Sequence, residues 1–338
     1  MIKEAIQSLV SGQSLTMDEA AAVMTEIMSG EATPAQFGAF VTALRLKGET
    51  VEEIAGLAKV MRDKASPVKV SGPTVDTCGT GGDAFGTLNI STTAAFIVAG
   101  AGLKVAKHGN RAMTSSCGSA DVLEALGVKI DLGPDGVQEC LEKAGIGFMF
   151  APAFHPAMKY AVGPRREIGI RTVFNFLGPL TNPAGAQAQV IGVSDEVFAP
   201  KMAQVLQRLG SRHALVTHGE EGLDEISICG ETKVWEVKGD SSSAYTVTPE
   251  EFGFKRASIE DIRGGTVDEN AKILRNILRG ATGPAREVVL LNAAAGLVAG
   301  DLRPDIAGGV ELAREVLDSG AALQRLDDFI RVSQSAAR

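Results

Sequence analysis

Beyond residue 73, short apolar runs alternate with helical stretches, and that alternation leaves this 338-residue chain few folds to choose from. Val75–Cys78, Leu103–Lys107, Val128–Leu132, Ile146–Phe150, Ala188–Val193 and Ala214–Thr217 read as strands. Thr92–Ala101, Ala120–Leu126, Asp135–Ala144 and Val197–Leu209 read as helices between them. The pattern predicts an α/β fold with a mostly parallel central sheet flanked by helices. Ala/Leu-rich helical segments from about Asp268 onward are expected to pack on that sheet. The first 70 residues differ. Thr16/Glu19, Thr33/Gln36 and Thr50/Glu53 are three capping boxes, Pro34 stands just inside the second, and Gly30 and Gly48 stand where helices stop. Helices over 16–29, 33–47 and 50–64 follow, giving a small N-terminal helical domain, 1–70, completed by helices around 155–185. The larger α/β domain takes 71–338, with a hinge near 66–73 marked by Ser66-Pro67 and Ser71-Gly72-Pro73.

With 45% hydrophobic and 22% charged residues the chain folds as a globular protein and not as a disordered one. A net charge of −8 argues against duplex nucleic acid, whose binding rests on Lys and Arg neutralising phosphates. No apolar run approaches the ~18 residues of a membrane span, and the first residues do not read as a signal peptide, so a cytoplasmic location is expected. Cys78, Cys117, Cys140 and Cys229 form no CxxC pair and read as reduced thiols.

Two loops carry the chemistry. Gly79-Thr80-Gly81-Gly82-Asp83-Ala84-Phe85-Gly86-Thr87 follows a strand and precedes Asn89-Ile90-Ser91-Thr92 and an apolar helix. Its glycines let backbone N–H groups converge on an anion, and the helix N-terminus adds orphan donors, so phosphate is the natural guest. It is not a dinucleotide fingerprint, because no acid lies about 20 residues on and the helix starts too late. Nor is it a Walker loop, which would need a Lys before Thr87. The second loop, Lys107-His108-Gly109-Asn110-Arg111-Ala112-Met113-Thr114-Ser115-Ser116-Cys117-Gly118-Ser119, also runs from strand to helix, with Ser119 as apparent cap. In a parallel sheet it opens at the same carboxyl edge. Lys107 offers a point charge there, and Asn110, Thr114, Ser115 and Ser119 offer donors; Arg111 reads either as a phosphate contact or as a structural ion-pair residue.

The acidic run Gly219-Glu220-Glu221-Gly222-Leu223-Asp224-Glu225 is either a solvated loop or a site for a hard cation such as magnesium. Joint work by Asp224 and Glu225 requires a turn, since neighbours in a strand face opposite ways. Arg165, at an apparent helix start, is either surface decoration or a guanidinium fork for a carboxylate. His155, His213 and His218 lack metal-ligand spacing and read as structural, and Trp235 as packing.

Taken together, GTGGD at 79–83, NIST at 89–92, KHGNR at 107–111, GSADVLEALG at 118–127 and RTVFNFLGPLTNP at 171–183 resemble the anthranilate phosphoribosyltransferase family over essentially the whole chain. The resemblance implies transfer of phosphoribose from 5-phosphoribosyl 1-diphosphate to the amine of anthranilate, in tryptophan biosynthesis, by a homodimer formed through the helical domain. It places the donor on Gly79, Gly82, Asp83, Thr87, Asn89, Ile90, Ser91, Thr92, on Lys107, His108, Gly109, Asn110, Arg111, Ala112, Met113, Thr114, Ser115, and on Ser119. It assigns Mg2+ to Ser91, Asp224 and Glu225, and anthranilate to Gly79, His108, Asn110 and Arg165. Ser116 and Cys117 depart from the family's usual residues. Positioning and electrostatics are expected to dominate, with closure about 66–73 excluding water. A pyrimidine nucleoside phosphorylase and a non-catalytic nucleic-acid-binding relative are the alternatives.

Overall fold

The computed structural model describes residues 1–112 and 116–336, so the expected phosphate contacts Met113, Thr114 and Ser115 lie outside the described residues. Four helices open the chain: α1 (Ile2–Val10), α2 (Met17–Ser29), α3 (Pro34–Lys47) and α4 (Val51–Lys64). The last three begin at the capping boxes, where Thr16, Thr33 and Thr50 accept the N–H of Glu19, Gln36 and Glu53. α1 gave no such signal, because Met1 holds its N-cap position without a side-chain bond. Glu53, fully buried, also accepts the Leu15 N–H at 2.9 Å and pairs with Lys47 at 2.9 Å, which fixes two helix junctions at once.

The rest alternates: β1 (Thr74–Gly79), α5 (Ile90–Gly100), β2 (Lys104–Gly109), α6 (Ser119–Ala125), α7 (Pro134–Lys143) and β3 (Ile146–Phe150). Then come α8 (Ala151–Phe154), α9 (Lys159–Ile168), α10 (Phe174–Leu177), β4 (Ala188–Gly192), α11 (Ala199–Arg208), β5 (His213–Gly219), β6 (Thr232–Lys238) and β7 (Ser241–Val247). Helices α12 (Val267–Leu278), α13 (Pro284–Ala299), α14 (Ile306–Asp318) and α15 (Ala321–Ala336) finish the chain. The strands form one sheet in the order β3-β2-β1-β4-β5-β6-β7; β1 to β5 are parallel and β6 and β7 antiparallel. From β1 the chain builds outward to β2 and β3, then returns to β4 on the other side. The β1/β4 boundary is thus the switch point at which such sheets open a crevice at their carboxyl edge.

Two expectations fail. Val128–Leu132 is no strand: Val128, Ile130 and Leu132 are buried, but the Lys129 N–H donates to Ser333 Oγ of α15 at 3.0 Å and the segment joins no sheet. Alternating burial reports one apolar face, whichever element covers it. Ser119 is the first residue of α6 and not its cap; Gly118 holds that position, and its N–H donates to Asp121 at 2.9 Å.

Apolar side chains gather in two cores. One joins Phe96 of α5, Leu290 of α13 and Phe329 of α15 to Val105 and Phe148 of the sheet. The other joins Phe37 and Phe40 of α3, Ile54 of α4, Phe174 and Phe176 of α10 and Met202 of α11 to Ile191 and Val216 of β4 and β5. The N-terminal helices and the 155–185 segment therefore share one core with the sheet.

Candidate active site

β1 ends at Gly79 and β4 at Gly192, and the two are register partners at the switch point. The turn after β5 lays Asp224 across both. A Cβ on Gly79 would stand 2.2 Å from Asp224 Oδ2, so only hydrogen fits there. Asp224 Oδ2 accepts the Gly81 N–H at 2.6 Å, and Glu225 Oε1 accepts the Ser91 N–H at 3.1 Å. Residues 224 and 225 lie in bends, so the turn that joint work demands is present.

Burial, and then the neighbouring Asp83, holds Asp224 well above the usual carboxylate range; burial, and then Asp224, does the same to Glu225. Buried Lys107 lies between Asp76 and Glu225, and its ammonium donates to the Thr77 carbonyl and to Ser91 Oγ at 3.4 Å. With the Ser91 hydroxyl the carboxyl groups form an all-oxygen donor set, which fits a hard divalent cation. Among the described residues no three His, Cys, Asp or Glu side chains converge to hold a metal alone.

Around the second loop, His108 is buried with its N–H on Asp76 at 3.3 Å, its Nδ1 3.2 Å from the Gly178 carbonyl and its ring 5.0 Å from that of His155. Burial, then His155, pushes His108 down to about 3; burial pushes His155 down to about 4. Both rings are neutral, and both Nε2 atoms are buried without a partner among the described residues. A carbonyl only accepts, so the Nδ1 of His108 carries the hydrogen and its Nε2 is a free acceptor. His155, read as structural from sequence, packs its ring against that of His108; no spacing signal relates the two, and the contact comes from the packing.

The remaining predicted residues are brought together in differing roles. Asn89 Nδ2 donates to the Cys117 carbonyl at 3.0 Å and ties the two loops. Ser119 Oγ donates to the Asn110 carbonyl at 3.4 Å, and Asn110 Oδ1 accepts the Arg111 N–H at 2.8 Å. Thr87 pairs with Arg263 across an isolated antiparallel bridge. Ile90 and Thr92 are buried, and the Ile90 N–H is bonded to the Leu88 carbonyl at 2.7 Å. Arg111 pairs with Asp121 at 3.1 Å and Glu124 at 2.7 Å, the structural alternative left open by the sequence. The Ala112 N–H donates to Asp121 at 2.9 Å.

Arg165 is not at a helix start: it stands in the last turn of α9, just after Pro164. The apparent start was an artefact of that proline, which the helix carries internally. Its guanidinium lies 5.4 Å from the Phe174 ring centroid, burial depresses its pKa, and among the described residues it has no carboxylate partner. Two further residues reach the glycine loop unannounced. Arg171 Nη2 donates to the Gly81 carbonyl at 3.2 Å and Ser194 Oγ at 3.0 Å, and a Cβ on Gly82 would stand 2.4 Å from Arg171 Nη1.

Residues 71–323 match the Glycosyl transferase family, a/b domain, and residues 3–65 its helical bundle domain. An anthranilate phosphoribosyltransferase of Dehalococcoides mccartyi is 58% identical over 339 residues, covering 100% of this chain and 99% of its own. The chain belongs to the anthranilate phosphoribosyltransferases. As members of that family such enzymes are glycosyltransferases of tryptophan biosynthesis, and the phosphorylase and nucleic-acid-binding alternatives give way. The crystal structure of anthranilate phosphoribosyltransferase from Thermus thermophilus superposes with a TM-score of 0.93 at 46% identity, over 98% of this chain and 99% of that one. The Saccharomyces cerevisiae anthranilate phosphoribosyltransferase, in complex with PRPP and Mg, gives 0.90 at 28% identity, over 99% and 98%.

Proposed function

We propose that the crevice at the β1/β4 boundary holds 5-phosphoribosyl 1-diphosphate and transfers its phosphoribosyl group to the amine of anthranilate, the C1–N bond forming as the C1–O bond to diphosphate breaks, giving N-(5-phosphoribosyl)anthranilate, diphosphate and the proton shed by the amine. The observation that carries this reading is the Gly81 N–H held by Asp224 at 2.6 Å beside Asp83, Glu225 and Ser91, a crowded cluster of carboxyl groups against a glycine-rich backbone. Ser91, Asp224 and Glu225 would hold magnesium, which when bound neutralises the diphosphate and eases its departure. Gly79, Gly82, Asp83 and Thr87, the start of α5 from Asn89 to Thr92, Lys107 to Ala112 and Ser119 would surround the donor, with the N-terminus of α5 favouring its phosphates, and the expected contacts at Met113, Thr114 and Ser115 lie outside the described residues.

Arg165, which has no carboxylate partner among the described residues, grips the anthranilate carboxylate as a fork. Gly79 and Asn110 border the same aromatic ring. The unprotonated Nε2 of His108 accepts a hydrogen bond from the amine and aims its lone pair at the ribosyl carbon. The same reading makes the enzyme a cytoplasmic homodimer joined through α1–α4, where Val10 is 69% and Leu46 83% exposed, with closure of the crevice near 66–73.

The test is fluorimetric. Purified protein with anthranilate, 5-phosphoribosyl 1-diphosphate and magnesium is expected to extinguish anthranilate emission, and a chelator to stop it. No loss above a heat-killed control rejects the assignment.

A further inference from the structure

Both loops of the crevice are stitched to one segment that belongs to neither. The Leu88 N–H donates to the Ile262 carbonyl at 3.0 Å and the Gly264 N–H to the Gly86 carbonyl at 2.8 Å. With the Thr87–Arg263 bridge, the end of the glycine loop runs antiparallel to residues 262–264. From the other side, Ser116 Oγ donates to the Gly265 carbonyl at 2.9 Å and ties in the loop that follows β2.

One side chain holds this strap. Asn270, on α12 and 2% exposed, accepts the Gly265 N–H on Oδ1 at 3.1 Å and donates from Nδ2 to the Gly265 carbonyl at 3.4 Å. The fit is close, since a Cβ on Gly264 would stand 2.5 Å from Asn270 Oδ1 and 2.8 Å from the Thr87 carbonyl oxygen. An amide offers a donor and an acceptor in one plane; a carboxylate offers acceptors only, and at a buried position water does not replace the lost donor.

We propose that Asn270 is a positioning residue for the transfer: by fixing residues 264–265 it sets the separation of the two loops, and through it the affinity for the diphosphate donor. The proposal rests on the reading of those loops as the donor site. It predicts an effect weighted to the donor, because the acceptor's charged anchor Arg165 and the His108–His155 pair stand on other contacts, while the strap bonds reach the loops at Gly86, Leu88 and Ser116, away from Gly79 and Asn110.

The experiment titrates 5-phosphoribosyl 1-diphosphate with magnesium calorimetrically into wild type, Asn270→Asp and Ser116→Ala, with steady-state kinetics alongside. Asn270→Asp is expected to raise the donor Kd and KM about tenfold, the weight of one buried hydrogen bond, with the anthranilate KM within about twofold of wild type. Ser116→Ala, which cuts the strap from one loop without touching the core, is expected to shift the donor constants the same way by a smaller factor. Equal rises in both KM values, or a lower kcat at unchanged donor Kd, would mark Asn270 as merely structural and overturn the proposal. If Asn270→Asp does not fold, an unchanged donor Kd in Ser116→Ala overturns it. A wild type that binds no donor at all sinks the parent reading, whereas donor binding that is identical in all three proteins sinks this one alone.

Discussion

Gly192 lies so close beneath Asp224 that a Cβ added to it would stand 1.5 Å from the Asp224 carbonyl oxygen. Gly192→Ala must push the 224–225 turn off the end of β4, and an ångström of misplacement at such a site costs about a hundredfold. Magnesium-dependent kcat/KM is expected to fall by that order, while Gly133→Ala, with nothing within 4 Å of its new methyl, leaves it unchanged.

Asp224 also sets function against stability. Its carboxylate is buried beside Asp83, so Asp224→Asn removes a repulsion while keeping an oxygen for the Gly81 N–H. The metal-free variant is expected to melt higher than wild type, by on the order of 1 kcal/mol. It should lose the further rise that magnesium plus donor gives the wild type. Scanning calorimetry with and without the two ligands reads both effects.

On the acceptor side, Arg165→Ala removes a guanidinium with no internal partner among the described residues, so little folding energy goes with it. The anthranilate KM is expected to rise at least about tenfold, the worth of a charge-assisted pair, with the donor KM unmoved. An anthranilate KM equal to that of wild type would take Arg165 out of the pocket.

His155 gives a pH signature. Its folded pKa, about 4, lies below the ordinary 6.5, so the native ring stays neutral where the unfolded one gains a proton. Stability is complete above 6.5 and declines as pH falls toward 4. Buried Asp76, raised to about 6, acts in the opposite sense, so the contribution is isolated by difference. The stability of wild type relative to His155→Gln is expected to drop by about 3 kcal/mol between pH 7 and pH 4. A difference that stays constant with pH in urea melts would disprove it.

What could be read ahead of the structure was what is decided locally. The capping boxes of α2, α3 and α4 and the glycine loop each depend on neighbouring residues and were legible. β7 was not: Ser241 to Ala244 are exposed, and their strand conformation comes from pairing with β6. Arg171 reaches the glycine loop and His155 the ring of His108 because the 155–185 segment folds back onto the α3 core, a long-range event with no periodic trace. Likewise, glycine at 79 was anticipated as backbone freedom, but the side chain that forbids a larger residue arrives from the far turn after β5.

The second apolar core carries one more implication. Ile54 of α4, Met202 of α11 and Val216 of β5 belong to it together, which fastens the N-terminal helices to the rear of the sheet. Swinging them away as a rigid unit would bare Phe37 and Phe40 to water, so closure about residues 66–73 must keep that core packed. The side-chain volumes of that core therefore set how the N-terminal helices sit against β4 and β5, and enlarging one of them, far from any substrate, should be felt at the carboxyl edge of those strands.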